Sequence, residues 1–408
     1  MRTRILTAAL ASVLLLAGCA SKKDTGGGSP GGSDKLVLGA SLSLTGSLAR
    51  EGNLTKEGYE LCRQVVNAKG GVPVGDKKLT LEIEFQDDTS KPDTAGQLID
   101  SYNGKGIRLI LGPYGSATTE AAAAVIERNN QVMAEGAGAD DKIFTKGYKR
   151  TFAVLSPAKS YVASMVQAIN DLANPKPKTI AFISADDGFS KTAAEGGVAR
   201  AKELGFEVFP TELVPNGTSD VSTALTKIRP KNPDVILGSV HLAEGIAIIK
   251  QSKELGLNPQ AFGETVAPPT PDFVKTLAAS AEGVLGSSQW TTTTAGSDKY
   301  FGSASDYAKT FAAQFGGRQP QYHGAEATAA CLAMVLAVEK AGSIEPDKVR
   351  DALAALDTPS FFGPLKFTDK GQNLTKQMVV IQIQNGKQVT VWPKDSAEAA
   401  LKWPGTKP

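Results

Sequence analysis

The strongest constraint on the fold is a repeated alternation of short β-rich runs with amphipathic runs of helical period, beginning at Lys35. "KLVLGASLSL" reads as a strand. The following "LTKEGYELCRQVVNAKGG" sets Tyr59, Leu61, Val65 and Val66 near one helical face before a glycine pair stops it. "LTLEIEFQDD" alternates as a half-exposed strand, "PDTAGQLIDSYNGKG" opens a helix on proline, and "IRLILG" is a buried strand. A second series follows "TFAVLSP": "KTIAFISADDG", "FEVFPTELVPNG", "DVILGSVH" and "PQAFGE" read as strands, with helices near 158–173, 190–204, 218–229 and 242–256. Such alternation argues for parallel sheets covered by helices, and two successive series imply two lobes with a cleft between them. After Gly283 the pattern changes: "GVLGSSQW" is a strand, long helices follow at about 298–315 and 323–341, and Asn385-Gly386 marks a hairpin in "MVVIQIQNGKQVTVW". If the late helices complete the first lobe, the chain crosses between lobes more than once and the crossovers form a hinge. The expected fold class is α/β, with two Rossmann-like lobes, each a mostly parallel sheet flanked by helices.

The N-terminus points to export. "MRTR" is a basic start and "ILTAALASVLLLA" an apolar run too short to span a membrane. Leu16-Ala17-Gly18-Cys19 resembles the bacterial lipobox, which implies diacylation of Cys19, cleavage before it, and a protein anchored by lipid to the outer face of the cytoplasmic membrane. The Gly/Ser-rich "ASKKDTGGGSPGGSDK" reads as a flexible tether. Residues 1–19 are thus expected to be a lipoprotein signal peptide and 20–34 a leash. Formal charge is +2, from 44 basic and 42 acidic residues without long runs of one sign, which argues against nucleic acid as a partner. The other two cysteines, Cys62 and Cys331, are free to oxidise together in an exported protein, or to stay as buried thiols on helix faces.

Within "LILGPYGSATTEAAAAV" a buried strand breaks at a Gly-Pro-Tyr-Gly turn and a serine meets the start of an alanine-rich helix. Ser116 can be a plain N-cap that satisfies an orphan N–H. It can also combine its hydroxyl with unpaired N–H groups and the positive helix end to hold a carboxylate or phosphate. Tyr114 sits in the turn before it.

The runs "LVLGASLSLTGSLAREG", "NAKGG", "LEIEFQDDTSKP", "LILGPYGSATTEAA", "TIAFISADDG", "PDVILGSV", "SKELGLNPQAFGE" and "FFGPLKFTDKGQN" occur in order between about residues 36 and 375. As an ordered set they resemble the branched-chain amino-acid type (Leu/Ile/Val-binding-protein-like) substrate-binding lipoproteins of ABC importers, which have the type I periplasmic binding protein fold. The resemblance implies three crossovers, near 153–157, 284–288 and 361–366. It implies an N-terminal lobe of 35–154 plus 287–362 and a C-terminal lobe of 155–286 plus 363–404. It also implies a monomer that closes on a small ligand, an amino acid or analogue, and delivers it to an ABC permease.

Residue by residue, Ser116 falls on the serine that binds the ligand carboxylate, and Ala137 on a residue whose backbone touches the ligand. Ala139 stands where leucine-binding relatives carry a threonine, Glu51 where they carry an aromatic residue, and Phe189 replaces a tyrosine. In "VHLAEG", His241 or Leu242 takes a place often held by an aromatic residue. Glu264 aligns with the acidic residue that receives the ligand's ammonium group. Trp290, in "GSSQW", either stacks on a ligand or packs at the hinge.

An enzyme is not expected. Gly115-Ser116-Ala117 lacks the second glycine of a hydrolase elbow, and neither His241 nor His323 has a partner at metal-ligand spacing. No cofactor or metal is expected either. The alternative function is an extracellular receptor of the same fold that senses its ligand rather than importing it.

Overall fold

The computed structural model describes residues 35–405, whose main strands fall into two open sheets. The signal sequence, the tether and Cys19 lie outside the described residues. The first sheet takes its strands in the order Val72–Val74, Lys77–Asp87, Lys35–Leu42, Leu109–Leu111, Val132–Glu135 and Thr151–Ala153. Every pair is parallel except the first, an antiparallel hairpin. Leu36, Leu38, Ala40 and Leu42 are buried, as are Leu109, Ile110 and Leu111, because helices cover both faces of a sheet joined by crossovers.

The second sheet runs Lys387–Trp392, Val379–Gln384, Leu285–Ser288, Ala261–Glu264, Val235–Ser239, Thr179–Ala185 and Glu207–Val208, with Glu212–Val214 also paired to Thr179–Ala185. The last four strands of that order and Leu285–Ser288 pair in parallel, and the Val379–Gln384/Lys387–Trp392 hairpin closes one edge antiparallel. Asn385 and Gly386 both have positive φ, 55° and 69°, as a twisted two-residue hairpin requires.

Helix Ala49–Ala68 buries Thr55, Tyr59, Cys62 and Val66, an i, i+4, i+7 and i+11 stripe. That stripe packs on helix Tyr322–Ala341, which is buried almost all round. A Cβ at Gly58 would strike the carbonyl of Gly324, so this contact depends on glycine. The same two helices are joined by a Cys62–Cys331 disulfide, with Cα atoms 6.3 Å apart. No single described helix is long and apolar enough to cross a membrane.

The helices from late in the chain therefore complete the first sheet's core, and the chain passes between the two sheets three times. The three passages are hydrogen-bonded to one another. The Gln289 side chain accepts the Ser156 N–H and donates to the Ser156 carbonyl, each at 3.0 Å. Ser156 Oγ donates to the Lys376 carbonyl at 2.9 Å, and Lys376 Nζ donates to the Gln289 carbonyl.

Three local expectations shift. Residues 285–288, expected both as part of a strand and as a crossover, form the strand, held between two neighbours, so the passage begins at Gln289. The helix expected from 298 begins at Ala304, where Ser303 and Asp306 form a capping box. The strand expected over "FEVFPTELVPNG" is two short strands, Glu207–Val208 and Glu212–Val214, separated at Pro210, which has no N–H for a ladder.

Candidate functional site

A cleft of about 320 Å³ is lined by residues that follow the C-terminal ends of parallel strands from both sheets. Open α/β sheets bind ligands at these ends, because strand-to-helix turns there present helix N-termini and unpaired backbone groups. Side-chain contacts bridge the bodies built on the two sheets at the mouth of this cleft. Thr192 Oγ1 donates to Asp140 Oδ1 at 2.9 Å, and Arg50 Nε donates to Asp272 Oδ2 at 2.6 Å while its other nitrogens reach Glu51 and Gln321.

On the first sheet's side, the strand Leu109–Leu111 leads through Tyr114 into helix Ser116–Arg128. Gly115 is the N-cap at φ 95°, a conformation that favours glycine, and no side chain caps the helix. Ser116 Oγ accepts the N–H of Asp140 at 3.1 Å, which leaves its hydroxyl proton to donate into the cleft. The first N–H to find a carbonyl at this helix end is that of Thr119, on Gly115, so the N–H groups of Ser116, Ala117 and Thr118 are the orphan donors. One hydroxyl and three N–H groups on the positive end of a helix dipole make a site for a carboxylate.

On the second sheet's side, Asp187 caps helix Gly188–Glu203, accepting the Ser190 N–H and hydroxyl, each at 2.8 Å. Its carboxylate also meets His241 Nε2 at 3.1 Å. Burial opposes charge on both groups, yet their pairing holds His241 above the usual imidazole range and Asp187 below the usual carboxylate range. Phe189 stands edge-on to Tyr161, with ring centroids 5.0 Å apart.

The remaining wall is aromatic and acidic. Tyr322 and Glu326 lie one turn apart on helix Tyr322–Ala341, with Tyr114 and Tyr161 also lining the cleft. Glu326 is buried and its Oε2 has no partner in the protein. Burial, then the nearby Glu135 carboxyl, pushes its pKa well above the carboxylate range, while Lys376 pulls weakly the other way.

The structure brings Ser116, Ala137, Ala139, Phe189 and His241 to the cleft. Ala137 gives its N–H to Glu135 Oε2 at 2.8 Å, so its carbonyl is the backbone group left for a ligand. Glu51 and Glu264, expected as ligand contacts, are not among the residues that line the cleft, and of the two roles open to Trp290 the structure gives packing. Glu51 is paired with Arg50 at 3.1 Å. Glu264 ends the strand Ala261–Glu264, wholly buried against the first turn of helix Leu242–Glu254, where a Cβ on Gly245 would collide with its carboxylate. Neither oxygen of Glu264 has a partner, and burial followed by repulsion from Glu244 raises its pKa to about 8. Trp290 packs in the core: its indole N–H donates to the Phe361 carbonyl at 3.0 Å and its ring stands edge-on to Tyr307.

Sequence reading missed Tyr161, Asp187, Tyr322 and Glu326 as lining residues. A signal for Glu326 was present, since it is the sole acid in "YHGAEATAACLAMVLAV", a run too apolar to be a solvated face. Among the described residues, no group of three or more His, Cys, Asp or Glu could hold a metal ion.

The profile of the periplasmic binding protein family matches residues 35–388. Leu/Ile/Val-binding protein homolog 8 of Brucella abortus (strain 2308) is 26% identical over 383 residues, covering 90% of this chain and 92% of the relative. Homolog 7 of Brucella suis biovar 1 (strain 1330) is 24% identical over 393 residues, covering 93% and 96%. Among solved structures, the leucine-binding protein LivK from Thermotoga maritima MSB8 aligns with a TM-score of 0.76 at 20% identity, over 87% of this chain and 97% of its own. The branched-chain amino acid transporter substrate-binding protein LivJ from Streptococcus pneumoniae, in complex with isoleucine, aligns with a TM-score of 0.75 at 21% identity, over 92% and 100%. These likenesses establish the type I periplasmic binding protein fold.

Proposed function

Because the chain belongs to the periplasmic binding protein family, we propose that it is the extracytoplasmic solute-binding receptor of an ABC importer. It captures a small carboxylate-bearing solute, an amino acid or a related amide, between its two lobes and delivers it to a membrane permease. The observation that carries this reading is the start of helix Ser116–Arg128, where a hydroxyl and three orphan N–H groups converge on the cleft. The ligand's carboxylate takes those donors, and the wall of Phe189, His241 and Val266 from the second sheet closes over it. A relative named as a Leu/Ile/Val-binding protein homolog and a structural neighbour in complex with isoleucine support an amino-acid-like ligand.

Each sheet with its helices forms one lobe, and the hydrogen-bonded passages at Ser156, Gln289 and Lys376 form the hinge. Cys19 carries the lipid that holds the receptor near its permease, where tethering raises its local concentration. The test is a thermal-shift screen of the protein lacking residues 1–33 against amino acids, amides, polyamines and aromatic acids. A ligand of the folded state raises the melting temperature by mass action. A saturable rise with a carboxylate-bearing compound is expected, and folded protein that responds to nothing in the panel would overturn the reading.

A further inference from the structure

His241 is the one basic side chain of the cleft, with no lysine or arginine among the described lining residues. It stands at the N-cap of helix Leu242–Glu254 and is used from one side only. Nε2 meets Asp187 Oδ2 at 3.1 Å, and the ring centroid lies 5.8 Å from that of Phe189. Nδ1 has no hydrogen-bond partner among the described residues, and the side chain keeps 29% of its surface exposed where it lines the cleft.

The partner on Nε2 decides what Nδ1 can do. A carboxylate accepts from Nε2–H in either charge state of the ring, so the second proton of the imidazolium sits on Nδ1. Charged His241 therefore offers Nδ1–H as a charge-assisted donor, and neutral His241 offers only a lone pair there. Burial opposes the charge, but Asp187 ahead of helix Gly188–Glu203, Glu244 on the ring's own helix and Glu51 on helix Ala49–Ala68 all favour it. His323, on helix Tyr322–Ala341, is held well below the usual imidazole range by burial and adds no competing charge. The same acids choose the acceptor. A second carboxylate on the ligand would bond to Nδ1–H but meet the repulsion of Asp187, Glu244 and Glu51. A carbonyl oxygen takes the bond without that repulsion, and an alkyl end leaves the donor unmatched once the cleft closes.

Resting on the proposed receptor reading, we propose that His241 is a specificity-determining residue whose Nδ1–H binds an uncharged carbonyl oxygen at the end of the ligand remote from Ser116. The selected solute thus carries one carboxylate and, at its other end, an amide or similar neutral carbonyl.

Triads of equal shape test this by calorimetric titration: leucine, asparagine and aspartate; homoleucine, glutamine and glutamate; 4-methylpentanoate, succinamate and succinate. Within a triad the far end is alkyl, amide or carboxylate on the same heavy-atom frame. The expected result is that in at least one triad the amide binds about tenfold or more tighter than both companions. The wild-type pH profile supplies a readout that needs no variant. Because the bond requires the proton on Nδ1, the amide's advantage is full below the raised pKa of His241 and is lost above it, so it should be present at about pH 6 and absent at about pH 9. His241→Phe, which keeps a ring against Phe189, should abolish the advantage at both values. A preference for the alkyl or the carboxylate member, or an amide advantage that survives high pH or His241→Phe, overturns the assignment and leaves the receptor reading standing. If no triad member binds, this inference falls, and the receptor reading falls with it only where the wider thermal-shift panel is silent too.

Discussion

At the scale of single residues, the account rests on groups whose hydrogen-bonding capacity is incompletely used. Ser116 gives its lone pair to the Asp140 N–H, so its remaining function is to donate. Ser116→Ala should weaken ligand binding by about 1.5–3 kcal/mol, the range for a hydrogen bond to a charged group. The ligand-free melting temperature should fall only slightly, because the helix loses no cap and the one bond removed is that from the Asp140 N–H, worth about 1 kcal/mol. Calorimetry and a melting curve on one preparation check both halves.

Glu264 gives a pH prediction. Its folded pKa of about 8 exceeds the ordinary 4.5, so between those values the unfolded chain releases a proton that the folded chain retains. Stability is therefore full below about pH 4.5 and falls as pH rises towards 8. Glu135, raised to about 7 by burial, adds to the fall, and Glu264→Gln should remove its own share. The melting temperature of that variant should drop less than wild type between pH 5 and 7, by about 2 °C or more; parallel curves would count against a neutral buried Glu264. These residues also mark what sequence could not convey. The place of Ser116 at a helix start was legible because a strand-turn-helix pattern is written locally. The burial of Glu264, and which of its two roles Trp290 takes, were not legible because burial depends on which helix turn or aromatic ring packs over a strand end, here Gly245 and Tyr307.

Secondary elements were the most legible level. Strand and helix periods are written locally, and the Asn385-Gly386 turn carries its own backbone preference. What local pattern could not give was the partner of each element. Helix Ala49–Ala68 was visible as an amphipathic stripe, but its packing against Tyr322–Ala341 is a contact across most of the chain. The disulfide between these helices spans 269 positions. Long closed loops favour stabilisation through the unfolded state, and loss of this bond should cost about 2–4 kcal/mol. Reduction should lower the melting temperature of the protein lacking residues 1–33. Thiol titration after unfolding should find no reactive cysteine before reduction and both afterwards; two reactive thiols before reduction would show that the pair is not bonded.

The whole molecule is organised by two sheets that share a cleft and three passages that bind one another. The Arg50–Asp272 bridge joins the two bodies away from the cleft lining, and on the proposed reading it favours the closed arrangement. Arg50→Ala should therefore reduce ligand affinity several-fold without touching the cleft lining, by favouring the open arrangement. Small-angle scattering should show a more expanded ligand-free protein in the variant, and identical profiles would remove the bridge from the closing step.

The central claim is that one small solute is held at the start of helix Ser116–Arg128. Calorimetric titration of wild type and Ser116→Ala with the compound that most raises the melting temperature tests it most directly. The account predicts one site per chain and binding roughly ten- to a hundredfold weaker in the variant; an unchanged affinity, or a stoichiometry other than one, would contradict it.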